Sequence, residues 1–357
     1  MKFLGTAISY ALILAVVIGL LALQVLQQIG ASGPLEQEKT VIIERGMSVS
    51  RIATKLETEG VIGSPLLFRI AAQLLASPAG LKAGEYQFEP EMSLTEVVGL
   101  LDSGAVVTHS FTVPEGLTSA QIINLLNNIE NLDGDLSEAA EVRPAEGTLL
   151  PETYSYTRGD ARTAKLERMR IAMDAFLEEA WQNRADNLPI DTKEEALILA
   201  SIVEKETSIF EEQPKVAGVF INRLRQGMKL QSDPTVIYAM TSGVPEDGGY
   251  GPIGRQLLRS DWEYESPYNT YKYAGLPPGP IAHPGKNAIR AVLRPAVHDY
   301  IFFVADGTGG HAFARTLNEH NRNVAAWRRI RDQNRLSPPS EASGNTDIPK
   351  FEGFEAE

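Results

Sequence analysis

The sequence predicts an α+β protein in three parts: an apolar N-terminal helix, a small α+β module, and a larger, mainly helical α+β body. Three observations lead there. Leu4 to Leu26 carries no charge and is long enough to cross a bilayer as a helix. Residues 40–88 pass quickly from strand-like to helix-like patterns and back. Lys193 to Ser208, KEEALILASIVEKETS, reads as a helix apolar on nearly every face from Ala196 to Val203, the mark of a helix at the centre of a domain. With 357 residues, 43% of them hydrophobic and 22% charged, the chain can bury at least two cores.

The N-terminal element is read as a transmembrane anchor over residues 1–28, followed by a polar linker at 29–38. Lys2 and the amino terminus precede the apolar run, while Glu36 and Glu38 follow it. That asymmetry orients the N-terminus to the cytoplasm and the body outside it. A cleaved signal is the lesser alternative, because its apolar region would be shorter and Gly30-Ala31-Ser32 is a poor cleavage site.

The small module is assigned to residues 39–135. Thr40–Ile43 reads as a strand, and Ser48 as the N-cap of a helix with apolar positions at Val49, Ile52, Ala53 and Leu56. Gly60 ends that helix, Ser64-Pro65 opens another to about Leu75, and Glu85–Phe88 is the closing strand. A weak repeat runs through GMSVSRIATKL at Gly46, EMSLTEVVGLL at Glu91 and GLTSAQIINLL at Gly116: a small polar cap, then apolar residues at matching offsets.

Asp133 to Pro144 is acidic and turn-rich, a boundary before a body at 136–334. There Glu146–Asp160 is an extended connection, and Ala161–Arg184 a long amphipathic helix. The central helix follows, then a helix at Val216–Gln226 stopped by Gly227. Lys229–Pro284 is rich in Gly, Pro, Tyr, Asn and Ser, and reads as loop. Tyr300–Val304 is a strand, Gly307–Gly310 a turn and Thr316–Asn334 the last helix. The acidic, Pro- and Ser-bearing tail at 335–357 is expected to be disordered.

The candidate chemistry lies at the end of the central helix, where Glu204, Lys205 and Glu206 enter a buried pattern. An unpartnered buried carboxylate tends to keep its proton, which suits a general acid. Periodicity does not choose between the two carboxylates. Glu204 continues the stripe of Leu197, Ala200 and Ser201, and Glu206 that of Leu199, Ile202 and Val203. Two residues apart, they do not share a face. Both can equally be read as an exposed helix end beside Lys205. Other classes are excluded more firmly. A net charge of -13 argues against nucleic acid, and the absence of cysteine removes disulfides, zinc-thiolate sites and thiol nucleophiles. His283, His298, His311 and His320 form no short pair and no HExxH, so no metal or cofactor is expected. The GTGG turn lacks the strand–GxxxxGK[ST]–helix arrangement of a phosphate loop.

The motifs ASIVEKET (200–207), FINRLRQGMKLQSDPTVIYAM (220–240), YNTYKYAGLPPGPIAHPG (268–285) and YIFFVADGTGGHAF (300–313), behind an N-terminal anchor, resemble the MltG/YceG family of endolytic murein transglycosylases. The resemblance runs from about residue 40 to 334, in the family's order. It implies a YceG-like catalytic domain at 136–334, and Glu204, the first Glu of VEKET, as the catalytic residue. It also implies glycan binding by Gln231, Ser232, Asp233, Thr235 and Tyr238 of LQSDPTVIY and by Asn269 and Tyr271 of NTY, with no metal. The first repeat copy is similar to a LysM-like module, a fold that binds glycans containing N-acetylglucosamine. Together these imply an inner-membrane enzyme with a periplasmic body that cuts peptidoglycan strands, with glycan synthases as neighbours. Two rivals accompany that reading: a lysozyme-like hydrolase in which Asp233 or Glu206 activates water, and a non-catalytic glycan-binding scaffold.

Overall fold

The structure is a computed structural model and describes residues 2–136, 143–244 and 253–336. The expected disordered tail lies almost entirely outside the described residues. Helix α1 (Lys2–Ile29) contains a 20-residue apolar stretch, Tyr10–Ile29, with mean hydropathy 2.3 and little of it buried. This fits the expected anchor by length and composition.

The chain divides into two compact units, residues 1–110 with 155–160, and residues 111–154 with 161–357. In the first unit β1 (Lys39–Ile43) leads to α2 (Val49–Thr58) and α3 (Pro65–Leu75), and then β2 (Gly84–Phe88) returns antiparallel to β1. Helix α4 (Leu94–Ser103) completes the unit. Its core holds Ile52, Leu56, Phe68, Tyr86, Phe88, Val97 and Leu101, all nearly or fully closed to solvent. The helix starts follow from sequence. Ser48, Ser64 and Ser93 each accept the N–H three residues on, and Glu96 closes a capping box with Ser93.

The segment expected to be a polar linker is packed. Ile29 and Leu35 are 3% and 8% exposed and belong to the same core. Gly33 N–H donates to the Glu91 carbonyl at 3.1 Å, and Glu91 N–H returns to Leu35 at 2.8 Å. A Cβ at Gly33 would lie 2.3 Å from the Met92 carbonyl oxygen, so only glycine fits that approach. The polar residues that suggested a linker are the outward half of an ordered strip.

The chain passes into the second unit within β3 (His109–Thr112) and continues to α5 (Ser119–Asn127), capped by a Thr118–Gln121 box, and to the two-residue β4 (Leu132–Asp133). The expected boundary at residue 135 thus falls inside this unit. Strand β5 (Thr153–Tyr156) pairs with β3 and β6 (Asp160–Ala161) with β4. Next come α6 (Arg162–Gln182), α7 (Lys193–Glu206), α8 (Gln213–Arg225) and α9 (Asp233–Thr241). A 3-10 turn at Arg259–Glu263 precedes α10 (Lys286–Leu293), the antiparallel hairpin β7 (Phe302–Ala305) and β8 (His311–Ala314), and α11 (Leu317–Leu336). The loop-rich reading of 229–284 missed α9, and α10 was not foreseen. Both are short, and Pro234 and Gly285 mark starts that composition alone reads as turns.

Helix α7 is the axis of this unit. All eight residues from Ala196 to Val203 are buried, against Val216, Ala217 and Phe220 of α8 and Ala288, Ile289 and Val292 of α10. Each of its buried Leu, Ile and Val side chains contributes about 1.5–3 kcal/mol. At its start Thr192 and Glu195 make a capping box, with Glu194 and Glu195 in the positive first turn.

The packed strip generates a prediction. A soluble chain beginning at Gln28 keeps Ile29 and Leu35, whereas one beginning at Glu36 loses both from the core. The shorter chain is expected to be less stable by about 3 kcal/mol or more. Urea denaturation of the first unit, followed by the fluorescence of its tyrosines, measures the difference; equal midpoints would show the strip to be dispensable.

Candidate active site

The last turn of α7 carries Glu204, Lys205 and Glu206, each half-buried. Glu204 Oε2 accepts the Gly285 N–H at 2.9 Å, at the start of α10. Gly116 lies alongside: a Cβ there would be 3.5 Å from Glu204 Cγ, and Lys205 Nζ donates to the Gly116 carbonyl at 3.2 Å. Burial pushes the Glu204 carboxyl up to about 7. The nearby Glu115 carboxylate contributes to that rise, against the Gly285 N–H and Lys205, which pull the other way. Burial likewise pushes Lys205 below the usual lysine range. At neutral pH Glu204 is therefore poised between acid and base, as an acid–base catalyst requires.

Sequence reasoning missed Glu115. It sits between Pro114 and Gly116, and burial raises its carboxyl as well. A Cβ placed on Gly285 would fall 1.8 Å from Glu115 Oε1, so this carboxylate occupies the side-chain space that Gly285 leaves open. The available signal was an acidic residue between a proline and a glycine just before a capped helix. The repeat pattern drew attention to the helix instead.

Two loops are held in place around this point by a buried histidine. His283 is fully buried; its Nδ1 accepts the Leu149 N–H at 3.0 Å, and its Nε2 meets Ser119 Oγ at 2.9 Å. Burial pushes its pKa down to about 3, so the ring is neutral, and an Nε2–H donor to Ser119 follows from the acceptor role of Nδ1. Its backbone joins the 114–117 turn twice, Gly116 N–H to the His283 carbonyl at 2.9 Å and His283 N–H to Leu117 at 2.8 Å. Ser201 Oγ, inside α7, accepts the Ile281 N–H at 3.0 Å. The same loop is thus tied to α7 and to the 114–119 segment. Among the described residues no cluster of His, Asp and Glu has metal-binding geometry.

Glu206 points elsewhere. Its carboxylate accepts from Ser232 Oγ, and Asp233 and Arg223 are its charged neighbours. Burial pushes it up to about 7 also. The two carboxylates keep separate company, as their spacing on the helix required.

The predicted glycan-binding residues divide sharply. Ser232, Thr235 and Asn269 are 1%, 0% and 0% exposed. Ser232 N–H donates to Thr270 Oγ1 at 2.9 Å, Thr235 Oγ1 donates to the Ser232 carbonyl at 2.6 Å, and Asn269 Nδ2 donates to Trp262 and Tyr264 carbonyls, each at 2.8 Å. These side chains are closed to solvent and hydrogen-bonded within the loop. Asp233 accepts from the Tyr271 hydroxyl at 2.6 Å and the Trp262 indole at 3.2 Å, while Tyr271 stacks on Trp262 at 4.8 Å. Asp233 is the first residue of α9 and belongs to the Glu206 side, away from Glu204's charged neighbours. Tyr238 faces Tyr268 with ring centroids 5.0 Å apart, and Gln231 is exposed with a left-handed φ of 50°. Gln231 and Tyr238, with Tyr271 half-exposed, remain available for contact.

A sequence model of the YceG-like family matches residues 41–326. The chain belongs to the YceG-like family. Its matched span contains Glu115, Glu204, Glu206 and Gly285. The endolytic murein transglycosylase of Bacillus subtilis (strain 168) is 32% identical over 320 residues, 81% of this chain and 86% of that protein. That of Streptococcus pneumoniae serotype 2 (strain D39) is 30% identical over 331 residues, 80% of this chain and 58% of that longer relative. A crystal structure of a yceG-like protein from Listeria monocytogenes is 29% identical and covers 80% of this chain and 99% of its own, with a TM-score of 0.46.

The raised carboxyls of this YceG-like protein have a thermodynamic consequence. A carboxyl that holds its proton more tightly folded than unfolded favours the folded state below the unfolded pKa. That advantage is lost as pH rises from about 4.5 to about 7. Glu204→Gln removes the charge and keeps the shape. It is expected to raise the melting temperature at pH 8 and leave it nearly unchanged at pH 4. Scanning calorimetry at the two pH values checks this, and an equal shift at both would exclude a raised Glu204.

Proposed function

We propose that this chain is a membrane-anchored endolytic lytic transglycosylase of peptidoglycan, with Glu204 as its single acid and base. The observation that carries the reading is a carboxyl at the buried end of α7, raised to about 7 and met by one backbone N–H. The names of its relatives in Bacillus subtilis and Streptococcus pneumoniae supply the substrate class.

The chemistry follows from one group used twice. Protonated Glu204 donates to the glycosidic oxygen on C1 of N-acetylmuramic acid, and the C1–O bond breaks. The C6 hydroxyl of the same sugar then attacks C1, and its proton passes to the Glu204 carboxylate. An anhydro ring closes, no water is consumed, and Glu204 ends protonated as it began. Because the nucleophile belongs to the substrate, proximity replaces a water-activating carboxylate. Gln231, Tyr238 and Tyr271 would contact the strand, while Ser232, Thr235 and Asn269 hold the loops that carry them. Asp233, committed to Tyr271 and Trp262, supports no role in activating water at Glu204.

The anchor would keep the body outside the cytoplasm, beside nascent glycan and the synthases that make it. The strand–helix–helix–strand order of β1 to β2 supports a LysM-like reading of the first unit, and with it a hold on the same glycan. A reporter fused after Glu357 is expected to be active only in a form that works outside the cytoplasm.

Glu204→Gln is expected to abolish cleavage of purified glycan strands by at least about a thousandfold. Glu206→Gln should keep most activity, since the amide oxygen still accepts from Ser232. Mass analysis of wild-type products in heavy-oxygen water decides the mechanism: unlabelled anhydro ends, one water lighter than hydrolytic ends, are the expected outcome. Labelled reducing ends as the primary product would make the protein a hydrolase, and no cleavage at all would leave a binding scaffold.

A further inference from the structure

The turn at Pro114–Glu115–Gly116 is built to deliver a charge to one place. Gly116 takes a left-handed φ of 76°, and two backbone hydrogen bonds tie residues 116 and 117 to His283. The neutral His283 ring in turn anchors Ser119 and Leu149. This leaves the Glu115 carboxylate against the backbone of Gly285, the residue whose N–H holds Glu204. Gly285 has φ −74° and ψ 170°, a conformation open to any residue. Glycine is needed there for space alone: a Cβ would collide with Oε1, Cδ and Cγ of Glu115 at 1.8, 2.1 and 2.7 Å.

We propose that Glu115 is a positioning residue of the acid–base centre, whose negative charge beside Gly285 keeps the proton on Glu204 until the glycosidic oxygen takes it. This rests on the reading of Glu204 as the acid.

The surrounding charges leave that task to Glu115. Among the described residues the charged groups that act on Glu204 are Glu115 and Lys205. Lys205 opposes Glu115, and its ammonium is also drawn to the Gly116 carbonyl. Lys286, at the start of α10, pairs with Glu152 at 2.5 Å. On the other face of α7, Arg223 and Asp233 act on Glu206, and His283 is neutral. Glu146 is buried behind Ser119 and bonded to its N–H and to Arg143. Among the described residues Glu115 is thus the negative charge that acts on Glu204, and a like charge favours the protonated form.

The test uses the full-length protein in detergent, with the pH profile of glycan cleavage as its first readout. Cleavage needs protonated Glu204, so the rate falls as pH rises through the Glu204 pKa. Glu115→Gln removes the charge at constant shape. It is expected to move this falling limb about one pH unit toward acid while the rate on the acid side stays within a few-fold of wild type. Glu115→Asp, which keeps the charge, should restore much of the wild-type limb. Gly285→Ala, which pushes the carboxylate aside and keeps the N–H, should shift the limb in the same direction as Glu115→Gln. A Glu115→Gln profile that is lower at every pH with its limb unmoved would assign Glu115 a purely structural role and overturn the proposal.

Infrared titration of the Glu204 carboxyl band, identified by its loss in Glu204→Gln, gives a second readout that needs no activity. Its midpoint is expected to fall in Glu115→Gln, and an unchanged midpoint would overturn the proposal. Should the wild type cleave no glycan, the functional reading fails, yet the infrared titration still decides the role of Glu115.

Discussion

A carboxylate at the buried end of a helix, given a single backbone N–H, is the constraint on which the rest of this site depends. Helix α7 is buried all round because α8 and α10 pack against it, so its last turn does not emerge into water as most helix ends do. Water is the ordinary partner of an ionised glutamate, and Gly285 N–H replaces only a small part of it. The helix itself works in the same direction, since the C-terminal end of the macrodipole disfavours negative charge. Burial outweighs the hydrogen bond and Lys205, and the proton stays on to about pH 7. The stability that this sacrifices at high pH is recovered by α7's apolar faces.

Holding that geometry falls to loops, and buried loops must satisfy their own backbone. This explains why so many polar residues in the family motifs are closed to solvent. Ser201 reaches from inside α7 to Ile281, His283 accepts from Leu149, and Thr270 joins Ser232 and Thr235. His283 can do this only while neutral, because Nδ1 must accept, and the ring's full burial favours that state. A charged imidazole at the same place would lose the Leu149 bond and with it the path of the 281–285 loop. Candidate site groups and scaffold are thus interleaved along the sequence, with position in the fold, not residue type, separating them.

The sequence made some of this legible. The all-round apolar character of Ala196–Val203 predicted the central helix, and Ser48, Ser64-Pro65 and the polar caps of the repeat predicted helix starts, because caps and periodicity are local. The spacing of Glu204 and Glu206 correctly implied different faces. What escaped was long-range. Nothing near residue 115 announces contact with residue 285, since it arises from backbone pairing across distant segments. Polar loop residues look alike in sequence whether they face a ligand or a neighbouring carbonyl, so Ser232, Thr235 and Asn269 could not be sorted from Gln231 and Tyr238. Helix α10 was missed for a related reason: eight residues after a Pro-Gly pair are too few for periodicity to outweigh punctuation.

The contrast between Glu204 and Glu206 carries the last step. Both carboxyls are lifted to about 7 by burial, so proton affinity alone would nominate either. Their partners separate them. Glu206 receives the Ser232 hydroxyl and lies in the field of Arg223 and Asp233, and Asp233 is itself bonded to Tyr271 and Trp262. A proton moved from Glu206 would disturb a network whose members each support a loop. Glu204 is bounded by two glycines, Gly116 and Gly285, which offer backbone and no side chain, and by a carboxylate that cannot take part as a hydrogen-bond donor while ionised. Protonation and deprotonation there leave the surrounding hydrogen bonds intact, because the Gly285 N–H can donate to Glu204 in either state. A residue proposed to cycle between acid and base needs hydrogen bonds that persist in both forms, and of the two carboxylates Glu204 fits that need better than Glu206.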